Sequence, residues 1–452
     1  MFQERISLLE NRDTVSLAEL VAAFSYALDI TEGQPEGHCV RACWIGFQIG
    51  KAIDLAPREL HDLYYTLLLK DLGCSSNAAR ICELYAADDR AFKHAYKTIG
   101  TGLAATLDFV FSATAQGRPI HQRAAAIGNI LRNGDQIAQE LITARCTRGS
   151  DIARSLRFSE EVCEGIYCLD EHWDGSGRPG KLSGEAIPLY ARIALLAQVI
   201  DVFHSHAGRE AALAEARRRS GVWFDPQLVK AFEQVAQDET FWTALASPLL
   251  EARVIQMAPE EEIRPVDEDY LDSIAAAFGQ VIDAKSPYTS GHSGRVAEYA
   301  EAIAERLDVL NDRRRWLRRA AFLHDIGKLG VSNAILDKPS GLTSDEWQDM
   351  REHARHTRAI LSRIGVFVGM ADVAAAHHER LDGTGYPLGL RESEIARETR
   401  IITVCDFYDA LTADRPYREA LPIETALSIM QKEVGKAIDP DCFDALTHAV
   451  KG

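Results

Sequence analysis

Between Ala320 and Gly330 the chain reads AAFLHDIGKLG, which sets His324 and Asp325 side by side with Lys328 three residues on. An imidazole, a carboxylate and an ammonium so close together can hold a cation, orient an anion or move a proton. If the stretch is helical, His324 and Lys328 share a face at i and i+4, and Asp325 and Lys328 at i and i+3. An isolated His-Asp pair would be read as a buried histidine satisfied by its neighbour. Here five further residues follow the same logic: His292 upstream, then His353, His377, His378 and Asp406 downstream. His292 precedes Val296, Tyr299, Ile303 and Leu307 on one apolar stripe, and His353 lies between Met350 and Thr357, Ile360 and Ile364. Asp406 and Asp409 share a face with Ile402. Four or five helices would thus each carry an imidazole or carboxylate into a common core, as helical metal-carboxylate proteins do. Burying such a cluster uncompensated is costly, and a bound metal removes the cost. A histidine-rich donor set disfavours magnesium and calcium and admits iron, manganese, zinc, nickel or cobalt.

The ordered series HDIGK (324–328), EHARHTRAIL (352–361), HHERLDGTGYP (377–387) and CDFYDALTADRPYR (405–418) resembles the HD-GYP family, a branch of the HD-domain metal-dependent phosphohydrolases that acts on cyclic dinucleotides. The likeness runs from about Asp283 to Arg418, with Gly385-Tyr386-Pro387 intact. It implies a metal set of His292, His324, Asp325, His353, His377, His378 and Asp406, holding two divalent transition metal ions, iron or manganese foremost. Two metals about 3.5–4 Å apart can supply a nucleophile at neutral pH and clamp a phosphate. Asp325, with two carboxylate oxygens, suits the bridging position. By the same resemblance Lys328 approaches the scissile phosphate, while Asp409, Arg415, Arg418, Gly385, Tyr386 and Pro387 line the dinucleotide pocket. Guanidinium forks suit phosphate, although a surface turn held by ion pairs would also explain Arg418. Gly383, Gly385 and Pro387 could serve loop geometry alone. Some members of the family carry a glutamate four residues before the first histidine that helps hold a third metal. Tyr288 stands there in this chain, so two ions are expected.

The implied reaction is hydrolysis of cyclic di-GMP or 3',3'-cyclic GMP-AMP to a linear dinucleotide or mononucleotides. Two rival readings are an HD phosphohydrolase acting on other nucleotides, which the intact GYP segment argues against, and a sensor or scaffold that binds without turnover, which would not need seven potential metal ligands.

The 452 residues suggest two or three domains, and 46% apolar with 26% charged side chains is an ordinary soluble composition. Fifty basic against 67 acidic residues give a net charge of −17, which argues against general nucleic-acid or anionic-membrane binding. The cluster RRRWLRR (313–319) reads as a solvated helix face. No stretch has the length to span a bilayer, the first residues lack a signal peptide's apolar core, and nine scattered cysteines without a CxxC pair point to reduced thiols in the cytoplasm.

The elements that would position these residues occur twice. TEGQPEGHCVRACWIGFQIGKAI (31–53) has the outline of KSPYTSGHSGRVAEYAEAIAERL (285–307), with His38 matching His292 and Lys70-Asp71 matching His324-Asp325, both at an offset of 254. EHWDGSGRPGKLSGEAIP (171–188) parallels ERLDGTGYPLGLRESEIA (379–396), and VIDVFHS (199–205) parallels VCDFYDA (404–410), which sets Asp201 against Asp406. The first copy has Lys70 for the first histidine of the pair, Cys74 for the lysine, Leu169 and Asp170 for His377 and His378, and Arg123 for His353. The expected architecture is all-α: two tandem HD-domain-like helical bundles, with a degenerate, non-catalytic copy over 1–258, an acidic linker at 259–269 and a catalytic domain over 270–452. The first half is expected to pack against the second or to mediate dimerisation, and a homodimer or a cyclase or signalling protein is the kind of partner it would have.

Overall fold

The computed structural model describes residues 16–97, 103–116, 118–259, 266–416 and 418–451. Among them the regular elements are α-helices and short 3-10 turns, with only isolated β-bridges. None of these helices is long and apolar enough to cross a membrane. The chain divides into two compact units, one spanning Ser16–Pro265 and one containing Val266–Gly452.

The second unit opens with the helix Glu268–Asp283, capped by the Asp267 carboxylate, which accepts the Tyr270 N–H at 2.8 Å. It therefore starts inside the stretch expected to be linker, because Asp267 supplies a helix start that the acidic composition concealed. The helices His292–Arg306 and Asn311–Leu323 follow, and their inner faces bury Val296, Ile303, Leu317 and Leu323. The arginines of 313–319 are each matched to a carboxylate: Arg313 to Glu398, Arg314 to Glu305, Arg315 to Asp269 and Asp272, Arg318 to Glu301, and Arg319 to Glu268 and Asp272. Ser344–Leu361 starts at a capping box in which Thr343 Oγ1 accepts from Glu346 and the Glu346 carboxylate accepts the Thr343 N–H. Val368–Ala375, Arg397–Thr412, Ile423–Gln431 and Pro440–Lys451 complete the unit.

The HDIGK stretch is not one continuous helix. The helix ends at Leu323, His324 is its cap, and Ile326–Gly330 form a 3-10 turn, so Lys328 reaches Asp325 rather than standing over His324. Gly327 lets the turn pack directly on the helix that carries His353. A Cβ there would lie 1.9 Å from the His353 carbonyl oxygen and 2.6 Å from the Thr357 nitrogen. Thr357 fastens the turn from the other side, its hydroxyl donating to His324 O and accepting from Gly327 N, both at 3.0 Å.

The first unit repeats the plan. His38–Ala52 and Pro57–Leu69 match His292–Arg306 and Asn311–Leu323 at both ends with the offset of 254. Beyond Cys74 the offset falls to 208, as in 353 − 145, because the first copy carries 46 extra residues (254 − 208) around the helices Ala78–Tyr85, Asp89–Lys97 and Leu103–Ala113. This constant offset corrects two sequence assignments. Gly73 packs on the Arg145 carbonyl oxygen as Gly327 packs on that of His353, so Arg145, not Arg123, stands in place of His353. Asp201 bonds His38 Nδ1 at 2.6 Å and Arg41 Nε at 2.6 Å, as Asp409 bonds His292 and Arg295. Asp201 therefore corresponds to Asp409, and Gln198 takes the place of Asp406. The sequence alignment slipped by three residues, close to one helical turn, which leaves the apolar pattern almost unchanged.

Where the second unit gathers imidazoles, the first gathers ion pairs. The Lys70 ammonium sits on the Asp71 carboxylate with neither side chain exposed, and the Arg145 guanidinium bonds Asp170. Burial pushes the Lys70 ammonium down, but Asp71 outweighs it and raises its pKa well above the usual lysine range.

Two outcomes follow from this packing. Gly327→Ala should destabilise the protein by about 3 kcal/mol, since the added methyl meets backbone on both sides and no rotamer relieves it. Denaturant titration of the purified chain reads this, and an unchanged midpoint would mean the turn can shift aside. Lys70→Met, which keeps the volume and strips the charge from beside Asp71, should cost about 3–5 kcal/mol. A melting curve matching the parent chain would show that the buried pair contributes nothing.

Candidate metal centre

Seven side chains from three helices and two turns converge in the second unit. His292 comes from the start of its helix, His324 and Asp325 from the turn, His353 from the middle of Ser344–Leu361, His377 and His378 from just after Val368–Ala375, and Asp406 from Arg397–Thr412. Asp325 lies at the centre. Its Oδ2 is 3.3 Å from both His292 Nε2 and His324 Nε2, and its Oδ1 is 3.7 Å from His353 Nε2 and 3.6 Å from His377 Nε2. Asp406 Oδ1 approaches His292 Nε2 at 3.6 Å and His324 Nε2 at 4.0 Å. Three donor sets have atoms within 4.8 Å of one another, His292–His324–Asp406, His353–His377–His378 and His324–Asp325–His377, and Asp325 turns Oδ2 toward the first and Oδ1 toward the second.

The ring nitrogens are oriented by the backbone. His324, His353 and His377 each donate Nδ1–H to the carbonyl three residues earlier: Ala321 at 2.7 Å, Met350 at 2.6 Å and Ala374 at 2.6 Å. That fixes the tautomer whose Nε2 carries a lone pair toward Asp325. Burial holds His353 down to about 4 and His377 to about 3, and pushes His378 well below the ordinary range, so these rings are neutral at neutral pH, as metal ligands must be. Burial also pushes His292 down, but hydrogen bonds to Asp325 and Asp409 raise it to about 9. Burial raises Asp325, yet Lys328, His324 and His292 together hold it well below the usual carboxylate range.

The donor set fits divalent transition metals. His353 Nε2, His377 Nε2 and Asp325 Oδ1 are buried with no hydrogen-bond partner among the described residues. Buried polar atoms are almost always paired. Three orphans aimed at one volume, all of them good ligand atoms, are explained by cations between them.

Other residues proposed from the sequence take different places. Asp409, expected at the dinucleotide pocket, is 1% exposed and accepts from His292 Nδ1 at 2.7 Å and Arg295 Nε at 2.5 Å, so it orients the His292 ring. Burial raises its carboxyl, but the bonds to His292 and Arg295 outweigh that and hold it at about 2. Arg418 donates to the carbonyls of Ala410 at 2.7 Å, Leu411 at 2.9 Å and Glu419 at 2.6 Å, so its fork caps the helix that carries Asp406. Arg415 pairs with Arg418 through the backbone, its N–H donating to Arg418 O at 2.8 Å, and its Nε lies 3.5 Å from Ala410 O. Tyr288 occupies a short 3-10 turn before the His292 helix. Tyr386 packs its ring 4.8 Å from His378 and 6.2 Å from His353, forming one wall of the centre. Gly385 lies against backbone, where a Cβ would come within 2.4 Å of Arg380 N and 2.6 Å of His378 O, and the Tyr386-Pro387 bond is cis.

Sequence reasoning missed Glu379 and Arg295. The buried Glu379 carboxylate accepts the N–H groups of Leu388 at 2.6 Å, Gly389 at 3.1 Å and Leu390 at 2.9 Å, which closes the loop after Pro387. Arg295 fixes Asp409. The repeat held both signals, since Glu171 and Arg41 occupy the matching positions.

The chain is similar to known proteins over much of its length. The HD domain family model matches residues 122–228 and 277–442, so it touches both copies. The 3'3'-cGAMP-specific phosphodiesterase 3 of Vibrio cholerae serotype O1 is 54% identical over 97% of this chain and 95% of its own length. The cyclic di-GMP phosphodiesterase response regulator RpfG of Xanthomonas campestris pv. campestris is 38% identical over 44% of this chain and 51% of its own. Among solved structures, the crystal structure of the cyclic GMP-AMP specific phosphodiesterase V-cGAP3 of V. cholerae superposes with a TM-score of 0.66 at 48% identity, covering 97% of this chain and 98% of that one. With the HD pair, the histidine series and the GYP loop assembled around one centre, the chain belongs to the HD-domain family, in its HD-GYP branch.

Proposed function

We propose that this protein is a metal-dependent phosphodiesterase that hydrolyses a cyclic dinucleotide, with 3',3'-cyclic GMP-AMP as the substrate. The observation that carries the reading is the convergence of buried, unpartnered His353 Nε2, His377 Nε2 and Asp325 Oδ1 on the volume that Asp325 divides in two. A binder without turnover has no use for such a centre. The choice among cyclic dinucleotides rests on the full-length likeness to a cGAMP-specific enzyme. Residues 270–452 are the catalytic part. Residues 1–258 are non-catalytic, with lysine and arginine at two of the ligand positions. Nine cysteines, none in a disulfide, fit a cytoplasmic setting.

The proposed cofactor is two ions, iron or manganese. His292, His324 and Asp406 would hold one and His353, His377 and His378 the other, with Asp325 between them. When bound, such a pair supplies charge neutralisation on the phosphate and a water-derived nucleophile at neutral pH. The chain's own groups do the rest. Lys328, its Nζ 2.5 Å from Asp325 Oδ2 and 18% exposed, is the cation that can turn from that carboxylate to a phosphoryl oxygen. Asp409 and the i−3 carbonyls hold the rings in place, and the Tyr386 wall excludes water from one side.

Asp325→Ala is expected to lose both metal content and turnover while keeping the helical circular dichroism spectrum. Near-normal metal occupancy with near-normal hydrolysis would sink the assignment. Lys328→Ala is expected to keep its metals and lose about a hundredfold in kcat. If metal analysis instead finds the ions gone, Lys328 is a ligand-orienting residue and not a phosphate contact.

A further inference from the structure

A cyclic dinucleotide carries two phosphodiesters, and the metal centre with Lys328 provides for one. The other needs a cation of its own, in a protein whose net charge of −17 repels it. Of the two guanidiniums the sequence offered, Arg418 is committed to helix carbonyls, and Arg415 turns its Nε toward the Ala410 carbonyl at 3.5 Å. Most basic side chains around the centre are likewise occupied. On the helix that carries His353, Arg355 pairs with Glu352 at 3.0 Å and Arg358 with Asp372 at 2.7 Å, and across the loop Arg380 pairs with Glu433 at 2.9 Å.

Arg351 differs. It precedes His353 by two residues and is exposed, and among the described residues no carboxylate lies within ion-pair distance of it. Its guanidinium carbon is 5.3 Å from the centre of the Tyr386 ring, the ring that packs on His378 and His353. It is thus a charged group at the edge of the metal-site wall, with its fork uncommitted and an aromatic face to hold it in place. Trp347, at i−4 on the same helix, and Leu388, two residues beyond Tyr386, are large apolar side chains left 48% and 66% exposed. A dinucleotide's bases can cover such surfaces. In the non-catalytic copy the positions at an offset of 208 from Trp347, Arg351 and Tyr386 are Gln139, Thr143 and Arg178. There the Gln139 amide donates to Thr143 Oγ1 at 3.0 Å and to the Pro179 carbonyl at 2.9 Å, which closes with neutral bonds the position that Arg351 occupies in the catalytic copy.

We infer that Arg351 is a substrate-contacting residue that binds the second, non-scissile phosphate of the dinucleotide across the Tyr386 rim. This rests on the cyclic-dinucleotide reading above. The test is steady-state kinetics of the metal-loaded full-length chain on 3',3'-cyclic GMP-AMP and on bis(p-nitrophenyl) phosphate, which has only one phosphate. Arg351→Ala should raise KM for the cyclic dinucleotide about tenfold, the loss of one charge-assisted contact, with a smaller fall in kcat. Arg351→Lys should lie between, and the rise for the single-phosphate diester should be several-fold smaller. Equal increases for both substrates would mean Arg351 merely props Tyr386, and an unchanged KM for the dinucleotide would mean it touches nothing; either overturns the inference. A parent chain that cleaves the diester but no cyclic dinucleotide would instead bring down the substrate reading itself, before any variant is compared.

Discussion

Charge cannot be buried without a counter-charge, and much of this structure follows from that constraint. Each half folds the same helices around a central aspartate, Asp325 in one and Asp71 in the other, both almost fully enclosed. The carboxylate sits at the end of a helix where the chain breaks into a 3-10 turn, so it cannot swing out to water. What differs is the source of the positive charge. The second half surrounds Asp325 with imidazoles and leaves its Oδ1 without a hydrogen-bond partner among the described residues, a demand that metal ions meet. The first half places an ammonium on Asp71 and a guanidinium on Asp170, and so satisfies the same demand from within.

The orientation of the histidines follows from helix ends as much as from side-chain packing. Ala321 and Ala374 lie in the last turns of their helices, where carbonyls lack an intrahelical donor. The Nδ1–H groups of His324 and His377 fill that vacancy, and in doing so they turn Nε2 toward the centre. A single hydrogen bond therefore finishes a helix and prepares a ligand. His292 uses another device, the Asp409 carboxylate, which Arg295 holds in turn, and its bonds to Asp325 and Asp409 raise the ring that burial alone would lower.

The set of side chains that gathers around Asp325 was readable because the chemistry dictates residue type: imidazoles and carboxylates in a fixed order are rare by chance. The helical fold was readable from apolar spacing. Roles that depend on reach were not. Asp409 and Arg418 have polar types that suit a dinucleotide pocket, but direction decides, and their side chains turn to His292 and to helix carbonyls. The break at Gly327 was also hidden, since a glycine's need for close approach depends on what packs against it from a distant helix. The repeat register slipped for a related reason. Moving a helix by three residues keeps its buried stripe, so only the bonds of Asp201 to His38 and Arg41 reveal the pairing.

Having two copies separates what the fold needs from what the chemistry needs. The loop after the second histidine position keeps its glycine in both halves, and in both a Cβ would collide with backbone, at Gly177 as at Gly385. Both keep the buried glutamate that gathers the loop's N–H groups, Glu171 on Gly180 and Leu182 as Glu379 on Leu388 and Leu390. Glycine, proline and glutamate are thus retained where Lys70 and Arg145 stand in place of His324 and His353, and their work is to shape the loop. The tyrosine of the triplet is not retained, for Arg178 stands in its place and pairs with Asp135. Of the three residues that mark the family, only Tyr386 therefore varies with the histidine cluster, and its ring is seated between His378 and the Arg351 guanidinium.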